Sequence, residues 1–438
     1  MANEDLNLTE YAKEKGIKYF LFNFTDLFGN QRAKLVPAAA ASGMQKSGAG
    51  FAGFASWLDL TPAHPDMFVM PDTSSLIQLP WKPEVAWVAG DPWMDGKPVE
   101  QAPRNVLKKL MAQAAEKGIL MKSGVEPEFH LISADGTEIS DERDTQEKPC
   151  YDQSAVMRRY DVITEICDTM ADMGWGPYQN DHEDSNGQFE INWGFTDALT
   201  MADQVAFFKF MVKEIAELHG LRATFMPKPF TELTGNGCHV HISCWDLAGK
   251  ENLFQDPKGE LGLSKMAYHF IGGLLEHGEA LAGITNPTVN SYKRINAAPT
   301  LSGATWAPSS ITYGGNNRTH MIRIPADDRF EFRLADNSAN PYLLMSVCLA
   351  AGLHGMEAEI DPGERLDIDM YAHPELAGER KQLPLNLLDA IRHFDHDEAL
   401  KSALGDEFSA AYIKLKLDDW NKYSRHLTQW ELETTLDC

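Results

Sequence analysis

Polar and apolar residues alternate through Gly124-Val-Glu-Pro-Glu-Phe-His130. A period of two predicts a strand with Glu126, Glu128 and His130 on one face and Pro127, Phe129 and Leu131 on the other. Gln188-Phe-Glu-Ile-Asn-Trp193 repeats the pattern, as do Cys238-His-Val-His-Ile-Ser243 and Arg329-Phe-Glu-Phe-Arg-Leu334. A single solvated surface strand would alternate in the same way. Four such segments, each with an apolar back and a polar front, predict one sheet curved around a polar cavity. Carboxylates beside imidazoles suit hard divalent cations. Arginines on the same faces suit phosphate and carboxylate oxygens.

Other periodicities place these strands in a chain order. A helix is expected over 6–15, then a hairpin of strands 17–23 and 32–36 around Phe28-Gly29-Asn30. The stretch 48–55 is small, glycine-rich and apolar. It matches neither a dinucleotide fingerprint nor a phosphate-binding loop, and reads as a loop able to close on something. Strands follow at 75–79 and 85–89. The proline-punctuated stretch 92–103 reads as the boundary between a mostly β domain, 1–98, and a larger one, 103–438. Pro103 and Gly118 bracket a helix. Further helices are expected at 157–173, 203–219, 263–281, 342–356, 385–394 and 398–415. The predicted class is α+β.

Composition narrows the partners. The chain has 438 residues, with 39 basic and 64 acidic side chains and a formal charge of −25, which argues against a nucleic-acid or anionic-membrane surface as the main partner. The start is acidic rather than signal-like, no apolar run is long enough to span a bilayer, and the six cysteines are scattered. A cytoplasmic protein with reduced thiols is expected.

Eight motifs in order now identify a family resemblance. They are Gly124-Val-Glu-Pro-Glu-Phe, Gly187-Gln-Phe-Glu190, Thr224-Phe-Met-Pro-Lys-Pro, Gly235-Asn-Gly-Cys-His-Val-His241, Asn286-Pro-Thr-Val-Asn-Ser-Tyr-Lys-Arg294, Asn317-Arg318, Arg329-Phe-Glu-Phe-Arg333 and Asn340-Pro-Tyr. Together they resemble the glutamine synthetase family, and most closely its bacterial type III and γ-glutamylmethylamide synthetase branch. The resemblance implies a small N-terminal β-grasp domain, and a large catalytic domain with a curved antiparallel sheet and flanking helices. It also implies a homo-oligomer, a dodecamer of two stacked hexameric rings with active sites between subunits. The implied chemistry is ATP-dependent phosphorylation of the glutamate γ-carboxylate, followed by displacement of phosphate by an amine.

The resemblance also implies site residues. Glu128, Glu183 and Glu190 would hold one Mg²⁺ or Mn²⁺, and Glu126, His239 and Glu331 a second. His241 and Ser243 would contact ATP, with Arg318, Arg323 and Arg329 at its phosphates. Gly235, Arg294 and Arg333 would bind glutamate. Arg318, Glu126 and Arg333 are the expected catalytic groups. Tyr371 falls where some members are adenylylated, but Asp367-Ile-Asp-Met370 departs from that pattern, so the modification is not expected here.

The departures concern the amine. Ammonia-using members carry an Asp on the N-terminal loop, where direct counting puts Ala52, with Ala55 at a neighbouring serine position. They also carry a closing Glu, where counting puts Thr300. Arg294 to Arg318 contains no Asp or Glu and gains Trp306. The expected amine pocket of Ala52, Ala55, Thr300 and Trp306 is therefore more apolar than an ammonium site. The expected reaction is glutamate–methylamine ligation. The alternatives are a glutamine synthetase that finds its base elsewhere, with Asp59 as the loop candidate, a ligase for a larger amine, and a non-catalytic structural or regulatory protein.

Overall fold

In the computed structural model, which describes residues 6–438, the first sheet comprises β1 (Tyr19–Thr25), β2 (Gln31–Pro37), β3 (Ala49–Phe51), β4 (Met67–Pro71), β5 (Ile77–Gln78), β6 (Val85–Met94) and β7 (Lys97–Pro98). Its order is β2-β1-β6-β4-β3, with β5 and β7 also paired to β6. β1 and β2 form the expected hairpin, and Asp26 Oδ1 accepts the turn's Phe28 and Asn30 N–H groups, each at 2.9 Å. β1 runs parallel to β6.

Two expectations change here. The glycine-rich stretch is not all loop, because Ala49–Phe51 pairs with β4 as an edge strand before a short 3-10 turn at Gly53–Ser56. Pro92 is not yet in a connection. It lies within β6, where it needs no ladder donor of its own, and Trp93 and Met94 go on to pair with β7.

The second sheet comprises β8 (Leu120–Ile132), β9 (Gln179–His182), β10 (Gln188–Asn192), β11 (Thr196–Asp197), β12 (Arg222–Thr224), β13 (Cys238–Trp245), β14 (Tyr313–Gly314), β15 (Ile322–Ala326) and β16 (Arg329–Phe332). Its order is β14-β15-β16-β13-β8-β10-β9, with β11 and β12 also paired to β8. The four alternating segments are thus consecutive neighbours, β16-β13-β8-β10. The sheet is antiparallel except for the parallel pair β14–β15.

The apolar backs fix this register. Phe129, Phe189, Ile191, Val240, Ile242, Phe330 and Phe332 are all fully buried or nearly so. Phe129 meets Phe208 of the helix Ala198–Leu218 edge to face, and Phe330 stacks on Phe254. Each such side chain stabilises the sheet by roughly 1.5–3 kcal/mol. A one-residue slip would exchange them for carboxylates, so the polar front is set by the packing behind it. The helix Pro341–Glu357 lies deeper still and is buried along almost its whole length.

Three expected helices are interrupted. The 157–173 segment becomes Gln153–Arg158 and Tyr160–Asp172, broken at Arg159, whose guanidinium turns back to the Ser140 hydroxyl. The 263–281 segment breaks at His277, which bonds to Asp397 and His354 at 2.6 and 2.8 Å. The 398–415 segment breaks at Gly405, whose φ of 108° leaves the helical region.

Arg104 joins the two sheets' layers. It is almost fully buried and donates to Asp203 at 3.0 and 2.9 Å, to Asp91 at 2.5 Å and to Asp72 at 2.8 Å. No described helix is long and apolar enough to cross a membrane.

Candidate active site

Strand register assembles the site. Across β9, β10 and β8, Asp181 stands opposite Glu190, and Glu190 opposite Glu128. Glu126 stands opposite His239 between β8 and β13. His241 stands opposite Glu331, and Glu331 opposite Arg323, between β13, β16 and β15. Directly opposed residues have Cβ atoms about 4.5–5.5 Å apart, so each rung presents a pair of groups to one cavity. That cavity has a volume of about 480 Å³, and its lining includes every carboxylate and imidazole expected as a metal ligand.

Glu331 is fully buried and braced on both oxygens. Arg323 Nη1 donates to Oε2 at 2.8 Å and Arg333 Nη1 to Oε1 at 2.5 Å. Burial alone would raise its carboxyl, but the Arg333 charge overrides this and holds it at about 2. Arg333 Nε also donates to the Arg318 carbonyl at 3.1 Å, tying that loop to the sheet. Among the described residues the Arg318 guanidinium forms no ion pair, and it faces the cavity.

His241 has a defined tautomer. Nδ1 accepts from Arg329 Nε at 3.2 Å, so Nε2 carries the proton and donates to Glu126 Oε1 at 3.0 Å. His239 Nδ1 lies 3.6–3.8 Å from Glu126, Glu128 and Glu331. Its Nε2 is buried with no hydrogen-bond partner. Burial, reinforced by the Arg333 charge, lowers its pKa and favours the neutral imidazole that a metal requires. Burial acts to raise Glu126, but His239 and His241 bring its carboxyl well below the usual range.

The other half of the cavity is overloaded with negative charge. Burial and then the Glu128 charge raise Glu183, and burial and then the Glu183 charge raise Glu190. Asp181 is pushed up to about 6, chiefly by burial. Three overlapping groups of donor atoms are close enough to share a cation: Asp181, Glu183 and Glu190; Glu126, Glu190 and His239; and Glu126, His241 and Glu331. This donor set, with an orphaned buried imidazole nitrogen, fits hard divalent cations. Its grouping differs from the expected one. Asp181 and His241 lie within this spacing, but both His241 nitrogens are engaged by Arg329 and Glu126; on Glu128, Oε2 accepts from Gly237 N–H at 2.6 Å and from Gln188 Nε2 at 3.0 Å.

Other expected residues lie off this cavity in the single chain. Arg294 is buried, and its Nη1 donates to the Leu334 carbonyl at 3.0 Å. Gly235 packs against Pro227 and Arg294 too closely for any Cβ, and its carbonyl accepts from Gln188 at 3.0 Å. The Thr300 hydroxyl is engaged with Thr234 and Ser302. Ala52 and Ala55 border a separate depression on the N-terminal sheet, beside Phe51, Ser56 and Arg32. Asp59 is ion-paired with Lys414 at 2.7 Å. The Tyr371 hydroxyl lies 3.5 Å from the Arg318 carbonyl. Trp306 does line the cavity.

Sequence reasoning missed several lining residues. Asp181 alternates with Glu183 at the spacing used for the other strands. Trp245 continues the His239, His241, Ser243 series, and its indole donates to the Ser243 hydroxyl at 2.9 Å. Phe195 stacks on Trp245 at the cavity's edge, with Lys122 over the Trp245 ring. The face from His239 to Trp245 spans about 20 Å. It runs from a carboxylate-rich end to an aromatic slot, dimensions that suit an extended nucleotide polyphosphate.

The family model for the glutamine synthetase catalytic domain matches residues 100–435. The chain belongs to the glutamine synthetase family. Within this family it is 65% identical over 432 residues to a glutamine synthetase of Rhizobium meliloti (strain 1021), covering 99% of each chain. It is 44% identical over 440 residues to a glutamate–methylamine ligase of Methyloversatilis universalis, covering 98% of each. Among solved structures, a GmaS/ADP complex superposes with a TM-score of 0.96 at 60% identity, covering 99% of this chain and 100% of that one.

Proposed function

We propose that the protein is an ATP-dependent ligase that joins L-glutamate to methylamine through γ-glutamyl phosphate, forming γ-glutamylmethylamide. The observation that carries this reading is an intact phosphoryl-transfer face beside an acid-free, tryptophan-bearing loop over 294–318. It is supported by the likeness to the GmaS/ADP complex and to the methylamine ligase.

In this reading the Phe195–Trp245 slot takes the adenine, and His241, Ser243 and Arg329 line the path of the phosphates. Glu128, Glu183 and Glu190, with Asp181, and Glu126, His239 and Glu331 are assigned to hold Mg²⁺ or Mn²⁺, which would supply charge neutralisation. Arg318 and Arg323 offset charge on the transferring phosphoryl group. Arg333, Arg294 and the Gly235 backbone are assigned to glutamate. The amine meets Trp306, and Ala52 and Ala55 join the pocket from a neighbouring subunit of a two-ring dodecamer. Division of the chain into 1–98 and 103–438, and a cytoplasmic location, belong to the same proposal.

Burying one methyl group stabilises a complex by roughly 0.8 kcal/mol. Pockets that discriminate by one carbon do so by about 10- to 200-fold, so some ammonia use survives. The 65% identity to the Rhizobium glutamine synthetase favours a second reading, in which ammonia is the main amine. Steady-state kinetics with both amines at matched pH decides between them. A higher kcat/KM for methylamine supports the first, and a clear ammonia preference returns the protein to glutamine synthesis. No glutamate-dependent ATP turnover would leave only a binding or structural role.

A further inference from the structure

We infer that Asp184 is the positioning residue of the amine pocket, acting as a fixed latch for the loop that carries Trp306. Asp184 directly follows Glu183 and is only 6% exposed. Its Oδ2 is the meeting point of donors from two distant segments. Trp306 Nε1 donates at 2.6 Å, Thr234 Oγ1 at 3.3 Å, and the Ser302 hydroxyl donates as well. Thr300 Oγ1 completes the network, 3.3 Å from Thr234 Oγ1 and 3.0 Å from Ser302 Oγ.

The loop between Arg294 and Arg318 has no acid of its own, so the carboxylate that orders it comes from the turn between β9 and β10. Trp306 also adopts a φ of 53°, in the left-handed region that a bulky residue enters only when its surroundings hold it there. The indole N–H bond to Asp184 is one of the contacts that hold it there, with Thr305 bonding Ala307 on either side. Trp306 and Arg318 line both the catalytic cavity and an adjoining one of about 590 Å³, bordered by Ser302, Ala304 and Tyr371. The indole is therefore a wall between two spaces, and its placement sets how large an amine fits. With three donors converging on Oδ2, Asp184 acts through Trp306 rather than on the reacting atoms.

This inference rests on the amine-ligase reading and names the pair that sets its selectivity. The test compares Asp184→Asn, Trp306→Phe, Ser302→Ala and the Asp184→Asn/Trp306→Phe double variant in the full-length protein. Ammonia, methylamine and ethylamine are varied at saturating ATP and glutamate. Asp184→Asn and Trp306→Phe should each raise the methylamine KM about 10-fold and raise relative use of ethylamine, because the wall is no longer fixed. The KM values for ATP and glutamate should stay within about twofold of wild type, and the double variant should lose no more than the worse single, as expected for one shared interaction. Ser302→Ala, which leaves Glu183 and the indole in place, should show a smaller shift in the same direction.

Additive losses in the double variant, an unchanged amine KM, or equal rises in the ATP and glutamate KM would each overturn the inference. If Asp184→Asn does not fold, Trp306→Phe and Ser302→Ala still read amine size selectivity, and no change there overturns it. A wild-type preference for ammonia would defeat the methylamine reading alone. The latch would still be judged by the non-additivity and by the rise in ammonia KM.

Discussion

The Arg333 guanidinium lies 2.5 Å from the Glu331 carboxylate two positions earlier in the chain, and the same side chain holds the Arg318 carbonyl at 3.1 Å. One planar fork therefore braces a proposed metal ligand and anchors the loop of a proposed phosphate-facing arginine. A lysine keeps the charge but cannot bond both partners in fixed geometry. Arg333→Lys should lower kcat by about 100-fold or more. Steady-state kinetics checks this, with circular dichroism to show that the fold is retained. A loss confined to glutamate KM would limit Arg333 to substrate binding.

Glu190 is buried among like charges, and its folded-state pKa is raised above the unfolded value. The charged form is thus disfavoured by folding in the absence of a cation. Glu190→Gln should give metal-free protein a melting temperature equal to the wild type or about 2 °C above it. The same variant should lose ligase activity and most of the Tm rise produced by Mg²⁺. Differential scanning calorimetry with and without chelator is the measurement. Metal-free destabilisation would show that the contacts of Glu190 support the fold more than its repulsion by neighbouring carboxylates weakens it.

Asp72 behaves in the opposite sense. Burial raises its carboxyl, but Arg104 outweighs this and holds it at about 2. A depressed pKa contributes stability that is fully present above about pH 4 and lost as pH falls toward 2. Asp72→Asn should remove about 1–2 kcal/mol at neutral pH, after discounting for partial solvent exposure. The gap between wild type and variant should close between about pH 4 and 2. Urea unfolding at a series of pH values reads this directly, and a pH-independent gap would assign the loss to packing.

Ala52 and Ala55 stand away from the catalytic cavity, on a surface where Phe54 and Trp57 are 64% and 47% exposed. Such an apolar patch calls for a cover, and a neighbouring copy of the chain would bring the alanines to a site. Light scattering should give a ring assembly of many subunits. Phe54→Glu should shift it toward smaller species and lower activity in parallel, while Ala52→Asp should favour ammonia over methylamine. A fully active monomer would contradict both outcomes.

The alternating strands were legible because a period of two is local. Glu126, Glu128, Glu190, His239 and Glu331 could be found within short windows of sequence. Their partners could not. That Glu190 stands between Glu128 and Asp181 depends on register, which is fixed by Phe129, Phe189 and helix packing far along the chain. Asp184 was invisible for the same reason, since its donor Trp306 lies 122 residues away. The break at Gly405 had a sequence signal in the glycine itself. The break at His277 had none, because it follows from contacts with Asp397 and His354. Ala52 could be read only as a missing acid, and in the fold it borders a depression on the N-terminal sheet away from the catalytic cavity.

The two faces of β8 and β10 have a consequence for how this protein can change. Phe129, Phe189 and Ile191 point into the core, while Glu128 and Glu190 point into the cavity, so neighbouring positions answer to different demands. Substitutions in front can retune chemistry without opening a void behind, and repacking behind need not disturb the reaction. The loop over 294–318 is further removed, and Trp306 ties it to Asp184 in the turn between β9 and β10. Changes on the cavity face and in that loop therefore make little demand on the packing behind the sheet.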